Sequence, residues 1–138
     1  MLHVQGIPRP QPRPRFARGR VISCADANAK RWISAVEAKA RELRHQDAPL
    51  KGGLFVGLVF TFPAGAKRQE GEAHVSRPDA DNLAKLVLDC LMRAGMIGDD
   101  AAVSQLLIKK SYGAEPGVLI YLAKDRREPD QPAPRWID

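Results

Sequence analysis

The sequence predicts an α+β fold: one small domain in which a mixed, mainly antiparallel sheet is packed by two helices. Three observations carry that prediction. The length of 138 residues suits a single core without covalent staples. Two stretches repeat apolar residues every three to four positions, as amphipathic helices do. Separate runs of strand length are rich in Val, Leu and Phe. The domain is expected over residues 1–125, with a disordered tail over 126–138, where "REPDQPAPRWID" offers little to bury.

Residues 2–7 suit a short strand, after which Pro8, Pro10, Pro12 and Pro14 remove backbone donors and impose an extended path. Residues 20–24 suit another short strand. In "ADANAKRWISAVEAKARELRHQ" the residues Trp32, Ile33, Val36, Ala40 and Leu43 form one apolar helical face. "GGLFVGLVFTF" reads as a strand buried on both faces and central in the sheet. The following "PAGAKRQEGEAHVSRP" has no period and reads as a long functional or disordered loop. A second helix begins near Asp79–Asn82, runs through Leu83, Leu86, Val87, Cys90, Leu91 and Ala94, and stops at Gly95, which suits a left-handed cap. "AVSQLLIKKSY" and "GVLIYLAK", joined by "GAEPG", read as an antiparallel hairpin.

The chain carries 22 Lys+Arg against 16 Asp+Glu, a formal net charge of +6, which favours a polyanionic partner. Nucleic acid fits, although charge alone is equally compatible with a generic basic protein. Residues 1–20 contain no acid, while Arg9, Arg13, Arg15, Arg18 and Arg20 punctuate the Pro-rich path. Such an arm can track a phosphate backbone, or simply be a solvated surface strand. Cys24 and Cys90 are too few and too far apart for a thiolate zinc site or a disulfide framework. No stretch resembles a secretory signal or a membrane span, so a cytoplasmic location and no membrane partner are expected.

Against this basic background, "RPDADNLAKLVLDCLMRAGMIGDDAAV" places Asp79, Asp81, Asp89, Asp99 and Asp100 within one segment. Each acid alone has an ordinary use. Asp79 can cap a helix, Asp81, Lys85 and Asp89 can form an exposed ion-pair ladder, and Asp99 and Asp100 can be turn residues. Together they exceed what capping requires. Crowded carboxylates repel unless a cation lies among them, and hard oxygen ligands suit Mg²⁺, with Mn²⁺ as a substitute. A metal held between such acids and an Arg-attracted phosphate is suited to phosphodiester hydrolysis. Lys85, one helical turn from Asp81, can stabilise charge developing on phosphoryl oxygens or merely neutralise the acids.

This segment resembles the signature of the RusA family of Holliday-junction resolvases, small Mg²⁺-dependent endodeoxyribonucleases found in prophages and bacteria. The matching features are Asp-x-Asp-Asn-Leu-x-Lys, an Asp near the helix end, a Gly and an Asp-Asp pair. The N-terminal "IPRPQPRPRF", the apolar strand and the last two strands also fit, but only residues 77–103 are highly specific. The resemblance implies that Asp79, Asp81 and Asp100 are catalytic metal ligands and Lys85 the catalytic lysine. It also implies a homodimer that resolves four-way DNA junctions by two symmetric cuts, in recombination and repair. Pro78 stands where some members carry a basic residue, so a phosphate contact there passes to Arg77 or is lost. Arg13, Arg15, Lys67, Arg68 and Arg77 are the expected DNA-binding residues.

Two other readings remain open: a catalytically silent basic DNA-binding module, and a different Asp-x-Asp metal enzyme such as a nucleotide-sugar transferase. The latter is disfavoured by the short chain and the lack of a Gly-rich phosphate loop. His74 is either a substrate-facing residue or a solvated loop histidine, and Trp136 is a candidate for base stacking by residue type only. A helix over 81–94 is about 20 Å long, and the residues from Gly95 to Asp100 can barely retrace that distance. Asp100 is therefore expected to meet Asp79 and Asp81 of a partner subunit, unless the chain reverses sharply after Gly95 and runs back along the helix to join them within one chain.

Overall fold

The structure, a computed structural model, describes residues 1–22 and 25–125. The expected tail with Trp136, and Cys24, fall outside the described residues. Element order is β1 (Leu2–Gln5), β2 (Arg15–Ala17), β3 (Arg20–Ile22), α1 (Ala27–Glu42), β4 (Leu54–Pro63), α2 (Ala80–Arg93), a 3-10 turn (Asp100–Ala102), β5 (Val103–Gly113) and β6 (Gly117–Lys124). Four strands form a mixed sheet in the order β1-β6-β4-β5, and β2 and β3 form a separate two-stranded ribbon. This is the α+β arrangement of two helices on a mixed sheet that the pattern predicts.

The hydrophobic pattern explains the layers. On β4 the residues Leu54, Val56, Leu58, Phe60 and Phe62 alternate onto one face and are buried, as the two-residue period of a strand requires. Leu83, Leu86, Val87, Cys90 and Leu91 of α2 and Trp32, Val36 and Ala40 of α1 complete the same core. Full burial of a Leu or Phe side chain contributes about 1.5–3 kcal/mol, so this face sets the fold. The opposite face of β4 is covered less completely, with Phe55, Val59 and Thr61 half-buried, so the expected two-sided burial holds on one side only. Gly95 ends α2 with φ +73°, the left-handed conformation its position predicted.

The expected β5–β6 hairpin is not formed. β4 lies between them, parallel to β5 and antiparallel to β6. The strand from β4 crosses through α2 before returning as β5, and parallel neighbours need such a crossover. The short "GAEPG" connection then passes over the end of β4 instead of reversing beside itself. Two strand spacings are only about 10 Å, within reach of four peptide steps. At Gly113, where this passage starts, a Cβ would lie 2.6 Å from Thr61 Cγ2, so the crossing requires a bare backbone.

Candidate active site

The site begins with how α2 starts. Asp79 occupies the N-cap position with extended backbone, φ −69° and ψ 146°, yet its side chain makes no capping hydrogen bond. Capping therefore does not use this carboxylate. Asp81 follows in the first helical turn and is exposed. The positive end of the helix dipole favours negative charge at both positions.

The backbone before Asp79 is held from β5. Lys110 Nζ donates to the carbonyl oxygens of Ser76 at 2.8 Å and Pro78 at 2.6 Å. His74, on the same loop, is buried and stacked on Phe62 with ring centroids 4.0 Å apart, and it also touches the Tyr112 ring. It is thus neither solvated nor exposed to a substrate. Burial, and secondarily the Lys110 charge, push its pKa below the usual value. Segment 71–74 is tied to β5 by His74 N–H to Lys110 O and Tyr112 N–H to Glu72 O. The long loop is ordered here because an apolar ring anchors it, something its mixed composition does not advertise.

On the other side of α2 lies the arm. Gln11 N–H donates to Asn82 O at 3.0 Å, and Gln11 Nε2 donates to Asp89 Oδ2 at 3.1 Å. Lys85 Nζ approaches Asp89 Oδ1 at 3.5 Å. Asp89 is thus committed to docking the arm and pairing with Lys85. The docked arm forms one wall of a groove that contains Arg9, Gln11, Arg13, Asp26, Arg77, Asp79 and Asn82. Gln11, Lys110 and His74 as structural anchors were not read from the sequence. A Gln among prolines has no periodic signal, and a Lys in a strand reads as an ordinary edge charge.

The remaining candidates lie in different places. Lys67 is exposed on the loop. Arg68 is bound to Glu72 at 2.9 Å and lies over the Tyr112 ring, 5.3 Å from its centroid. Arg15 lies in β2, but its side chain falls outside what the structure describes. Asp100 is at the far end of α2: its backbone N–H contacts Met92 Sδ at 3.3 Å. Met92 is eleven residues beyond Asp81, about 16 Å along the axis. Beside it, Asp99 accepts from Ala101 N–H at 2.9 Å, and this bond, followed by one with the Asp100 carboxyl, lowers the Asp99 pKa. Cys90 is buried, and burial pushes its thiol up to about 11, so it is chemically quiet.

Among the described residues, no group of three or more His, Cys, Asp or Glu side chains is arranged to hold a metal. Asp79 and Asp81 nevertheless have the right chemistry for one. Mg²⁺ is commonly held by one or two carboxylates, with substrate phosphate and water completing its shell. No described helix is long and apolar enough to cross a membrane. A family model described as "Endodeoxyribonuclease RusA" matches residues 5–123. No individual curated protein matches the chain.

Proposed function

Because the chain belongs to the RusA endodeoxyribonuclease family, we propose that it is a divalent-metal-dependent homodimer that resolves four-way (Holliday) DNA junctions. It does so by paired, symmetric phosphodiester hydrolysis in recombination and repair. The observation that carries this reading is the uncommitted Asp79 carboxylate beside exposed Asp81, in a groove whose wall carries Arg9, Arg13 and Arg77. Acids that cap nothing, surrounded by cations that attract phosphate, suit metal-assisted hydrolysis better than helix stabilisation.

In this reading Asp79 and Asp81 hold Mg²⁺, or Mn²⁺ in its place, with Asp100 as the third ligand. When bound, such an ion supplies positive charge for the phosphoryl oxygens and a water of lowered pKa. The chain's own residues do the rest. Arg13 and Arg77 position the phosphate backbone from the groove wall. Lys85 stands one turn from Asp81 and is loosely paired with Asp89 at 3.5 Å, a pairing its ammonium would leave to meet the charge that develops on phosphorus oxygens. Lys110 fixes the two carbonyls ahead of Asp79 and so sets where that carboxylate emerges.

The third ligand argues for two subunits, since within one chain Asp100 lies at the wrong end of α2. β5 is an edge strand. The bonds from Lys110 and Tyr112 to segment 71–74 mean that even-numbered residues of β5 turn their peptide groups away from β4. Leu106 and Ile108 continue that row, and no strand lies against them among the described residues. Leu106 is 44 % exposed. An antiparallel pairing of β5 with its copy across a two-fold axis near Leu106 covers this edge. It also sets the acidic start of β5, with Asp99 and Asp100, against the partner's basic end, with Lys109 and Lys110. Lys110 anchors the loop that leads to Asp79, so such a pairing would bring the partner's acid toward the end of β5 that supports this site.

The reading is tested by incubating the protein with a synthetic four-way junction, a flap and a linear duplex, each with Mg²⁺ or with a chelator. Mg²⁺-dependent cutting of the junction in preference to duplex is expected. Tight junction binding without cutting under any metal would favour the silent DNA-binding module.

A further inference from the structure

Apart from Arg15, an expected DNA contact, the β2–β3 ribbon has no role in the site described above, and its composition is unusual for a two-stranded element. Arg18 and Gly19 form its turn, with φ of 52° and 73°, the paired positive values of a tight hairpin. Phe16 and Val21 are directly opposite each other in the register, so their side chains share one face. That face packs on nothing in the core: Phe16 is 82 % exposed and Val21 61 %. Arg18 and Arg20 are also exposed, and there is no acid in the chain before Asp26.

An exposed aromatic on a ribbon whose charges are all positive calls for an occupant that is both anionic and flat. Nucleic acid bases supply the flat face and their phosphates the charge. The ribbon's position supports the same occupant. The arm that leads into it is bonded to α2 at Gln11 and lines the groove through Arg13. Phe16 follows Arg13 by three residues, about 10 Å of extended chain. A continuous duplex offers no free base face at that distance, because every base pair is covered by its neighbours. The point where strands exchange in a branched DNA does once its arms are unstacked.

We infer that the ribbon is a branch-point probe: Phe16, flanked by Val21, stacks on a base-pair face exposed at the exchange point, while Arg18 and Arg20 hold the adjoining phosphates. This rests on the reading that the substrate is branched DNA, and it assigns to Phe16 the preference for branched over continuous DNA. Arginines alone bind both forms, since phosphate contacts carry little shape information.

The test uses the full chain carrying Asp81→Asn, so that binding is measured without cutting, on Mg²⁺-free, open junctions with 2-aminopurine at the exchange point or within one arm. Binding is expected to change the fluorescence of the exchange-point probe only. Adding Phe16→Ala is expected to abolish that change and weaken junction binding about tenfold to a hundredfold, the magnitude of one lost base stack. Duplex binding stays within about twofold, and Phe16→Trp restores the signal. An unchanged exchange-point signal with Phe16→Ala, or equal loss on junction and duplex, overturns the inference. So does a rise in the dimer dissociation constant with junction preference intact, which would assign the patch to a second copy of the chain. Because these readouts are of binding, they separate from the nuclease reading: a wild-type protein that stacks through Phe16 yet never cuts refutes only the latter.

Discussion

The two helices begin alike and use their first residue differently. Asp26 precedes α1 with φ −75° and ψ 176°, and its carboxylate accepts a hydrogen bond from Ala29 N–H at 2.8 Å. Asp79 precedes α2 with a similar extended backbone and makes no such bond. One residue type in one local conformation thus serves stability at the first helix and is left free at the second. α2 tolerates an uncapped start because its apolar face is sealed in the core and Lys110 holds the preceding carbonyls. The lesson is that position at a helix start does not assign an Asp to capping; the bond it makes does.

Substitutions at the two starts should therefore have opposite signatures. The largest effect is expected at α2: Asp79→Asn or Asp81→Asn lowers junction cleavage by at least about a hundredfold. The unfolding temperature stays essentially unchanged, and junction binding is intact or tighter because a negative charge beside phosphate is gone. Loss of binding together with folding in Asp81→Asn would return that residue to a structural role.

The next effect concerns the basic arm. Replacing Arg13 and Arg15 together is expected to weaken binding to every DNA shape and to flatten the dependence of log affinity on log salt by roughly one to two units. Replacing Lys67 and Arg68 should do less, since Arg68 is already engaged by Glu72 and Tyr112. An equal change in slope for both pairs would mean that the Arg68 ion pair opens on DNA.

At α1 the expected signature is the reverse. Asp26→Ala costs about 1 kcal/mol of stability, the usual value of a lost N-cap, read in a denaturant melt. Cleavage by the folded protein changes little. Asp79→Ala should leave the melt nearly unchanged, and a comparable loss there would erase the contrast between the two helix starts.

The smallest effect is a pH dependence. His74 is held neutral by burial and by Lys110. As pH falls below about 6.5 the unfolded chain takes up this proton before the native chain does. Native stability is therefore complete above that range and declines on the acid side. His74→Phe keeps a ring between Phe62 and Tyr112 and should reduce the drop in unfolding temperature between pH 7.5 and 5.5.

Much of this was legible in the sequence. Strand β4 and helix α2 announce themselves because burial imposes a period on them, and Gly95 marks the helix end through its conformational freedom. The β5–β6 pairing was misread because turn chemistry specifies that the chain returns, not whether a third strand occupies the space between. The free state of Asp79 could not be read, since capped and uncapped Asp have the same sequence context. His74 was invisible for a related reason: its partners Phe62 and Tyr112 come from two different strands, so only the tertiary fold brings them to the loop. The Asp-rich segment was visible as chemistry, and its division between the two ends of α2 was legible too, because helix length follows directly from residue number.

That division makes subunit exchange the most direct test of the account. Asp81→Asn and Asp100→Asn proteins, each inactive alone, are mixed, heterodimers are isolated, and nicking of a four-way junction is measured with Mg²⁺. If Asp100 completes the partner's site, each heterodimer contains one undamaged centre, and single-strand nicking returns. If each site is built within one chain, every centre carries a lesion. Heterodimers that form and remain inactive would contradict the shared site.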